Sequence, residues 1–442
     1  MNRTTKWLLW LGIPLAVIGV AAVAVVMLVP SDEELSRMFE SRASEALGVP
    51  VKIGALHWMV LPLPAVILQD VATQQDKPVT IKRIVAYLQL RPLLHKVVSL
   101  QSMEVDGAVV PQLSLKAFTQ ETGESGKGSS APMSGVAGGF TLARVPLEHL
   151  HFTDLTWISR RGIPVLYEGD IDFDERWRPR LFKARRPGVT PETGLTLTRN
   201  GNEDRWAARI TVGGGTADGE LRIKTDSKKM LHLSGELKPR NIEVQSAVQA
   251  FNRRPVVSGR MSGSTVLDAD GTNIAGLAQT LHSRTQFTVA PGKVLRFDLH
   301  KAIKTFGKEH DGTTPLDRIT GVMDTKNTGD GVIWTFDDLK AKSGVLTASG
   351  DVVIYNRKIE AKAAVDLVDG LVGVPVKVSG SMDKPDISVP KGAIAGALIG
   401  TVILPGIGTA IGARLGALFG GEPKVPGSAD RKAPLPAGQR RP

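Results

Sequence analysis

Hydrophobic and polar residues alternate along most of the chain from about residue 50 to about residue 390. In the stretch KIEAKAAVDL, Ile359 and Val365 fall on one side of the alternation and Lys362 falls on the other. In residues 81–90, Lys82 is the one charged residue on the apolar side. Alternation with period two gives a β-strand one apolar and one polar face. Asn-Gly and Asp-Gly dipeptides, which favour turns, lie between many of these stretches. The pattern predicts roughly 20 strands, mostly antiparallel.

Helices are few in this pattern. Ser31 is a suitable N-cap, acidic residues occupy the turn after it, and Gly48 stands where a helix C-terminus favours glycine. The helices that we predict after the first 30 residues cover residues 32–47, 243–252, 273–282 and 298–306.

The N-terminus carries one long apolar segment. From Trp7 to Val29 there are 23 uncharged residues, and Arg3 and Lys6 precede them. A helix of this length crosses a bilayer core, whereas the apolar region of a cleaved signal peptide has roughly 7 to 15 residues. Despite an Ala-Val-Ala sequence that could serve for cleavage, we expect residues 1–30 to be an uncleaved anchor. The basic residues favour a cytoplasmic N-terminus, with the bulk of the chain exported.

Composition narrows the classes of partner. The net charge of +11 suggests an anionic partner, either nucleic acid or anionic lipid, and export disfavours nucleic acid. The chain has no cysteine, which excludes disulfides, thiolate metal sites and cysteine nucleophiles. With 42% hydrophobic and 22% charged residues, the composition is that of a folded protein.

The apolar faces of so many strands need a partner surface. An antiparallel sheet buries its apolar face against a second sheet, against itself in a barrel, or against something that is not protein. Aromatic residues make up only 5% of the chain, and Gly, Ala and Thr are frequent at the apolar positions. A sheet face built from small residues is smooth and shallow. We therefore favour a long curved sheet that forms a groove for acyl chains. A sandwich or barrel with a self-filled core is the alternative.

The sequence RWRPRLFKARR at residues 176–186 concentrates positive charge. Cations beside an interfacial aromatic residue favour contact with anionic lipid headgroups. A solvated loop is the alternative. The predicted headgroup contacts are Arg176, Arg178, Arg180, Lys183, Arg185 and Arg186.

Residues 391–421 are apolar and rich in glycine. Glycines four residues apart align small side chains along one stripe of a helix, which permits close helix packing. Pro405 divides the segment into two pieces, each too short to span a bilayer. We predict a helical hairpin that enters a membrane leaflet. The alternative is a helical pair that caps the last strand. The glycines concerned are Gly396, Gly400, Gly408, Gly412, Gly416 and Gly420.

The sequence offers little for catalysis or metal binding. Residues 121–130, ETGESGKGSS, fail the phosphate-loop pattern, because Glu121 stands at the first glycine position and Gly128 follows Lys127. His149 and His151 would share a strand face, where a solvated pair is favoured over a metal site. We predict no enzyme activity, no catalytic residues, no metal and no cofactor. An enzyme that acts on lipid is the third alternative.

Two parts of the chain resemble the AsmA-like proteins of Gram-negative envelopes, relatives of the bridge-like lipid-transfer proteins with chorein-type N-termini. The first part contains SRASEALGVPVKIGALHWMVLPLPAVILQDV and IKRIVAYLQLRPLLHKVVSLQSMEVDGAVV. The second contains FTVAPGKVLRFDLHKAIKTF, LTASGDVVI and VPVKVSGSMDKPDISVP. For residues 140–270 the resemblance is limited to the general pattern of the sequence. The resemblance implies an inner-membrane anchor, an extended periplasmic β-groove and a role in phospholipid movement or outer-membrane homeostasis.

This resemblance suggests a division of the chain. The predicted parts are the anchor 1–30, a chorein-like module 31–118, a polar linker 119–139, a β-groove with an AsmA-like C-terminal module 140–390, the hairpin 391–421, and a disordered Pro-rich basic tail 422–442. Pro62 and Pro64 would interrupt strand pairing at an edge or bend. The predicted lipid-binding residues that line the groove are Val51, Ile53, Ile84, Leu88, Leu90, Val257, Met261, Leu267, Phe287, Val289, Leu346, Val352, Ile354, Ile359, Val365, Leu367 and Val376.

The sequence thus predicts a mainly β protein with one N-terminal transmembrane helix, an elongated curved antiparallel β-sheet that forms an apolar groove, and few short helices. The expected function is passage of phospholipid along the groove, from the inner membrane and toward the outer membrane, which the C-terminal hairpin could contact. An envelope protein is a further partner to consider, and nucleic acid is not expected. The runner-up is a non-enzymatic scaffold for envelope proteins with a self-packed β-core.

Overall fold

The computed structural model describes residues 32–59, 63–89, 97–117, 134–136, 140–174, 178–328, 331–367 and 373–389. The predicted anchor 1–30, the hairpin 391–421 and the tail 422–442 lie outside these residues. Across the described ranges, no helix is both long enough and apolar enough to cross a membrane.

The described chain is mainly β-structure, as the alternation predicts. Its helices are α1 (Asp32–Leu47), α2 (Val244–Gln249), α3 (Ile274–Thr280) and α4 (Leu299–Lys304), with a 3₁₀ helix at Gln112–Lys116. The strands are β1 (Val51–Lys52), β2 (Ala55–Met59), β3 (Ala65–Thr73), β4 (Thr80–Leu88), β5 (Val97–Pro111), β6 (Ser134–Val136), β7 (Phe140–Ile158), β8 (Pro164–Phe173), β9 (Pro179–Arg185), β10 (Gly194–Arg199), β11 (Arg205–Val212), β12 (Gly215–Thr225), β13 (Leu231–Arg240), β14 (Ile242–Glu243), β15 (Val257–Gly271), β16 (His282–Val294), β17 (Thr314–Leu316), β18 (Arg318–Thr328), β19 (Gly331–Lys342), β20 (Leu346–Tyr355), β21 (Lys358–Leu367), β22 (Val374–Ser381) and β23 (Lys384–Ser388).

The four predicted helices are confirmed, and three of them are shorter than expected. The first matches its predicted bounds, residues 32–47. The others begin after side-chain caps, because the carboxylates of Glu243 and Asp298 and the amide oxygen of Asn273 each accept a hydrogen bond from a backbone N–H three residues on. These caps set where the short helices start.

All 23 strands of the described ranges belong to one large curved sheet. Successive strands pair with each other in chain order, so the sheet is a long antiparallel meander. One pairing is parallel, between β5 and β7. Through it, the predicted modules 31–118 and 140–390 form a single sheet. The short strands β1, β6, β14 and β17 each pair with the same edge of a neighbouring strand as a longer strand does. The sheet is therefore 19 strands wide.

Helix α1 is bound to the first edge of the sheet. The backbone N–H of Val51 donates to Ser44 Oγ at 2.8 Å, and that of Ile53 donates to Glu40 Oε1 at 2.8 Å. These bonds use backbone groups of an edge strand that have no strand partner on that side. The helix therefore protects this edge from pairing with another strand.

A line of left-handed residues crosses the first strands of the sheet. Asp70, Gly107 and Asp154 have φ values of +53°, +66° and +50°, and the pairing register aligns them on β3, β5 and β7. On the strand between β3 and β5, Lys82 and Arg83 are both exposed. The pairing of β3, β4 and β5 has no register shift at this line, so Lys82 stays on the side of Ile84 and Ala86, where it is exposed.

Two of the hydrophobic clusters place short helices against the sheet. Near its C-terminal end, Ile303 of α4 is fully buried against residues of the last strands, including Leu346 and Val365. In the middle, Ala247 of α2 packs on a cluster that contains Leu237. These two cores are therefore local, and each lies where a short helix packs on the sheet.

Candidate functional site

One unbroken row of paired residues crosses the whole sheet. Residues that pair on neighbouring strands have their side chains on the same face, so the register places this row on a single face, which we call the apolar face. None of its 19 residues is charged, and only two are polar. The row consists of Trp58, Val66, Ala86, Met103, Leu150, Ile171, Phe182, Leu197, Ala208, Gly219, Leu237, Thr265, Thr285, Met323, Phe336, Val352, Ala361, Val378 and Ile387.

The residues one position along each strand form the opposite face, which we call the polar face. Charged and hydrogen-bonding side chains dominate it from β5 onward. One row on this face consists of Glu104, His151, Asp170, Lys183, Thr196, Arg209, Asp218 and Lys238. The sheet is therefore amphipathic from β5 onward, with water as the natural neighbour of one face only.

The apolar face is only partly covered. In β13 and β15 the polar-face residues are exposed, and many of the apolar-face residues, such as Leu233 and Met261, keep intermediate exposure. Because all strands of the described chain belong to one sheet, no second sheet in this part of the chain packs on the apolar face. The apolar side chains of the central strands thus shield one another but have no complete layer of described residues above them.

Seven of the predicted lining residues lie on this partly covered surface. Phe287, for example, lies between Gly263 and Gly321 on the neighbouring strands. Its ring meets that of Phe336 edge to face, with 6.4 Å between the ring centroids. The seven residues are Ile84, Met261, Leu267, Phe287, Val352, Ile354 and Ile359.

Four other predicted lining residues lie in a closed cluster. Leu346, Val365, Leu367 and Val376 are at most 4% exposed, and they share that cluster with Ile303 of α4. They are on the apolar face by register, but the structure covers them. We therefore assign them to the folding core at the C-terminal end and leave them out of the open surface.

The remaining predicted lining residues have other surroundings. Leu88 and Val289 are buried on the apolar face, and Val51 and Ile53 are buried beside α1. Val257 pairs with Val294 beyond a register shift in β15. Leu90, like Arg176 of the basic run and the six glycines Gly396, Gly400, Gly408, Gly412, Gly416 and Gly420 of the predicted hairpin, lies outside the described residues.

Residues 179–185 of the basic run form strand β9, and the basic side chains of the run have different surroundings. Arg180, Lys183 and Arg185 are exposed, and Arg185 forms an ion pair with Glu168 at 2.5 Å. Arg178 binds Asp174 at 2.9 Å and Asp204 at 3.1 Å. These residues therefore do not converge with Arg186 on one site. Pro179–Arg185 is the strand β9 and not the loop of the alternative interpretation, although three of its basic side chains are solvated.

Arg186 differs from its neighbours, since it is only 7% exposed and turns to the apolar face. Its Nε donates to the carbonyl oxygen of Leu166 at 2.9 Å, and its guanidinium lies 5.8 Å from the ring centre of Tyr167 and 6.0 Å from that of Phe251. Its Nη1 is buried without a hydrogen-bond partner among the described residues. Burial lowers the pKa of Arg186 and raises the pKa of Tyr167.

A cavity of about 560 Å³ opens beside Arg186 on the apolar face. Its volume lies within the usual range of ligand pockets. Its apolar wall was not among the sites predicted from the sequence, although the alternation in β7 and β10 places these residues on one side of their strands. The wall includes Leu150, Phe152, Ile171, Phe182, Leu195 and Phe251.

Histidines on the polar face pair with aspartates on adjacent strands. His149 Nδ1 lies 2.6 Å from Asp172 and His151 Nδ1 lies 2.7 Å from Asp170. A similar hydrogen bond to Asp324 raises the pKa of His282. No group of three or more metal-ligating side chains occurs within the described ranges. Each of these pairs joins two neighbouring strands on the polar face.

Comparison of the chain with known protein families, with curated proteins and with solved structures finds no match.

Proposed function

We propose that this protein binds lipid acyl chains on its apolar face and passes phospholipid along it, as a groove protein anchored in the inner membrane. The observation that carries the proposal is the row of 19 uncharged residues that crosses the sheet from Trp58 to Ile387. At about 4.8 Å per strand, this row is about 86 Å long.

The length and composition of the apolar face argue for a non-protein filler. Soluble proteins rarely expose continuous apolar patches larger than a few hundred Å². An acyl chain needs no hydrogen-bond partners, and this row offers few beyond the hydroxyls of Thr265 and Thr285, which bond to each other at 2.9 Å. A protein segment in the same place would have to satisfy its own backbone groups against this surface. Lipid therefore suits the face better than a peptide does.

The surroundings of the sheet are consistent with this function. The sequence predicts an anchor at residues 1–30, and the resemblance to AsmA-like proteins implies a periplasmic location. An apolar face that begins at the first strands after the anchor would start next to the membrane that supplies the lipid. The proposed localisation is the inner membrane, with the N-terminus in the cytoplasm and the bulk of the chain in the periplasm.

Lipid retained by the purified protein tests the proposal. The chain without residues 1–30 is purified without detergent, and its organic extract is analysed by mass spectrometry. We expect phospholipid in amounts of at least one molecule per chain. A lipid-free protein with the small radius of gyration of a self-packed fold would instead favour the scaffold.

A further inference from the structure

We propose that Arg186 and the cavity beside it form a selective site for the anionic end of an acyl-chain amphiphile. This inference rests on the proposed function, because the acyl chain of the same molecule would lie on the apolar face. It adds a site of defined charge at one position of a surface whose 19-residue row carries no charge.

The first argument is the cost of burying this charge. A buried cation is normally paired with a carboxylate, since desolvation of an unpaired charge is strongly unfavourable. Arg199, whose side chain is also buried on the apolar face, follows this rule, because its Nη2 binds the carboxylate of Asp174 at 2.7 Å, although its Nη1 also has no partner among the described residues. Among the described residues, the guanidinium of Arg186 contacts a backbone carbonyl and two rings but no carboxylate, and its Nη1 has no hydrogen-bond partner. An anion that binds in the cavity would supply the missing partner.

The second argument is the shape of the site. The rings of Tyr167 and Phe251 hold the guanidinium at the cavity wall, and the rest of the wall is largely apolar. A planar guanidinium with free N–H groups suits the oxygens of a carboxylate or a phosphate. The apolar side chains beside it suit a hydrocarbon chain. A ligand that satisfies both has an anionic head and an acyl tail.

The third argument is the contrast with Arg185, the preceding residue. Arg185 is exposed on the polar face and already has Glu168 as its partner. The two arginines carry the same charge and differ in the face that they occupy. Arg185 also borders the cavity, but its guanidinium is bound to Glu168, so it is a matched control for the charge of Arg186.

Binding of two matched pairs of probes tests the inference. The full chain is purified in a neutral detergent, and retention is measured by native mass spectrometry. The pairs are oleate with oleyl alcohol, and dioleoyl phosphatidylglycerol with dioleoylglycerol. The variants are R186M, which replaces the guanidinium with an unbranched apolar side chain, and R185Q. We expect the wild type and R185Q to retain an anionic probe about tenfold more tightly than its neutral counterpart, and R186M to lose that preference.

The outcomes separate the sources of the ligand and the two proposals. Preference for oleate alone supports a fatty-acid site, and preference for the phosphatidylglycerol alone supports a phospholipid site. Equal retention of anionic and neutral probes by the wild type overturns the Arg186 site but leaves the lipid-binding face intact. Retention of none of the four probes contradicts the proposed function as well.

Thermal unfolding of the ligand-free variants distinguishes binding from a structural role. If Arg186 is kept for an anionic ligand, R186M should unfold at the same temperature as the wild type or above it, because the substitution removes an unpaired buried charge. A clearly lower unfolding temperature for R186M, together with an unchanged probe preference, would show that the arginine serves only to join β9 to Tyr167 and Phe251.

Discussion

Burial divides the residues that the sequence places on the apolar face into two classes. Ile354 pairs with Ile359 and Trp334, and all three keep part of their surface exposed. Leu367 pairs with Leu346 in the closed cluster and is 4% exposed. The two residues look alike in the sequence, since both continue an alternating stretch. Their side chains nevertheless have different surroundings.

Substitution of these two residues by aspartate should have different effects. I354D should lower the free energy of unfolding by about 1 kcal/mol or less, because the new carboxylate stays in reach of water. L367D should lower it by at least about 3 kcal/mol, because the charge is buried without a partner. Urea unfolding measures both.

The same variants report on lipid binding. I354D should remain folded and retain less lipid than the wild type. If I354D unfolds as readily as L367D does, the face is a packed core along its whole length, and the open surface does not exist.

Among the elements, the short helices determine where the apolar face is closed. Helix α4 buries Ala302 and Ile303 against the last strands. Helix α2 ends just before Phe251, which lies against the guanidinium of Arg186. Each helix has six residues, too few to be stable without its contacts to the sheet. The sheet therefore stabilises the helices that cover it.

Truncation of Ile303 tests the closed end. I303A should lower the free energy of unfolding by about 2–5 kcal/mol, because the side chain is fully buried and leaves a cavity. The matched control is I274A in α3, whose side chain is 68% exposed and should change stability by about 0.5 kcal/mol or less. Equal effects of the two substitutions in chemical unfolding would contradict the assignment of Ile303 to the core.

At the scale of the whole molecule, the meander makes the apolar face continuous. Each strand pairs with the next, so a residue in β8 and a residue in β20 belong to one row although their positions in the chain are far apart. A lipid that moves along the row would meet both. A lipid that only binds at one place would meet one of them.

Two distant substitutions distinguish passage from static binding. I171D and V352D each place one charge in the row, and we expect either to slow lipid transfer between donor and acceptor vesicles to a similar, large extent. T196D on the polar face is the control and should leave the transfer rate unchanged. If I171D and V352D each reduce binding without changing the transfer rate, the face stores lipid and does not conduct it.

Local patterns in the sequence determined much of this fold. The cap at Ser31 and the glycine at Gly48 predict α1, and the two-residue period predicts the strands, because caps, turns and alternation depend on neighbours in the chain. Alternation also assigned Met261, Phe287 and Ile354 to one face without any knowledge of the pairing.

Only the tertiary structure decided which parts of that face are covered and where its charge lies. Lys82 is exposed beside the left-handed residue Gly107 of the neighbouring strand, and α4 closes over Leu367. The residues near Lys82 and Leu367 in the sequence predict neither arrangement. Arg185 and Arg186 are adjacent in a basic run, yet one binds Glu168 in water and the other is buried beside Tyr167. Burial and pairing depend on segments distant in the chain, whereas periodicity depends on neighbours. The sequence therefore determined the strands and their faces, and the tertiary structure determined the site.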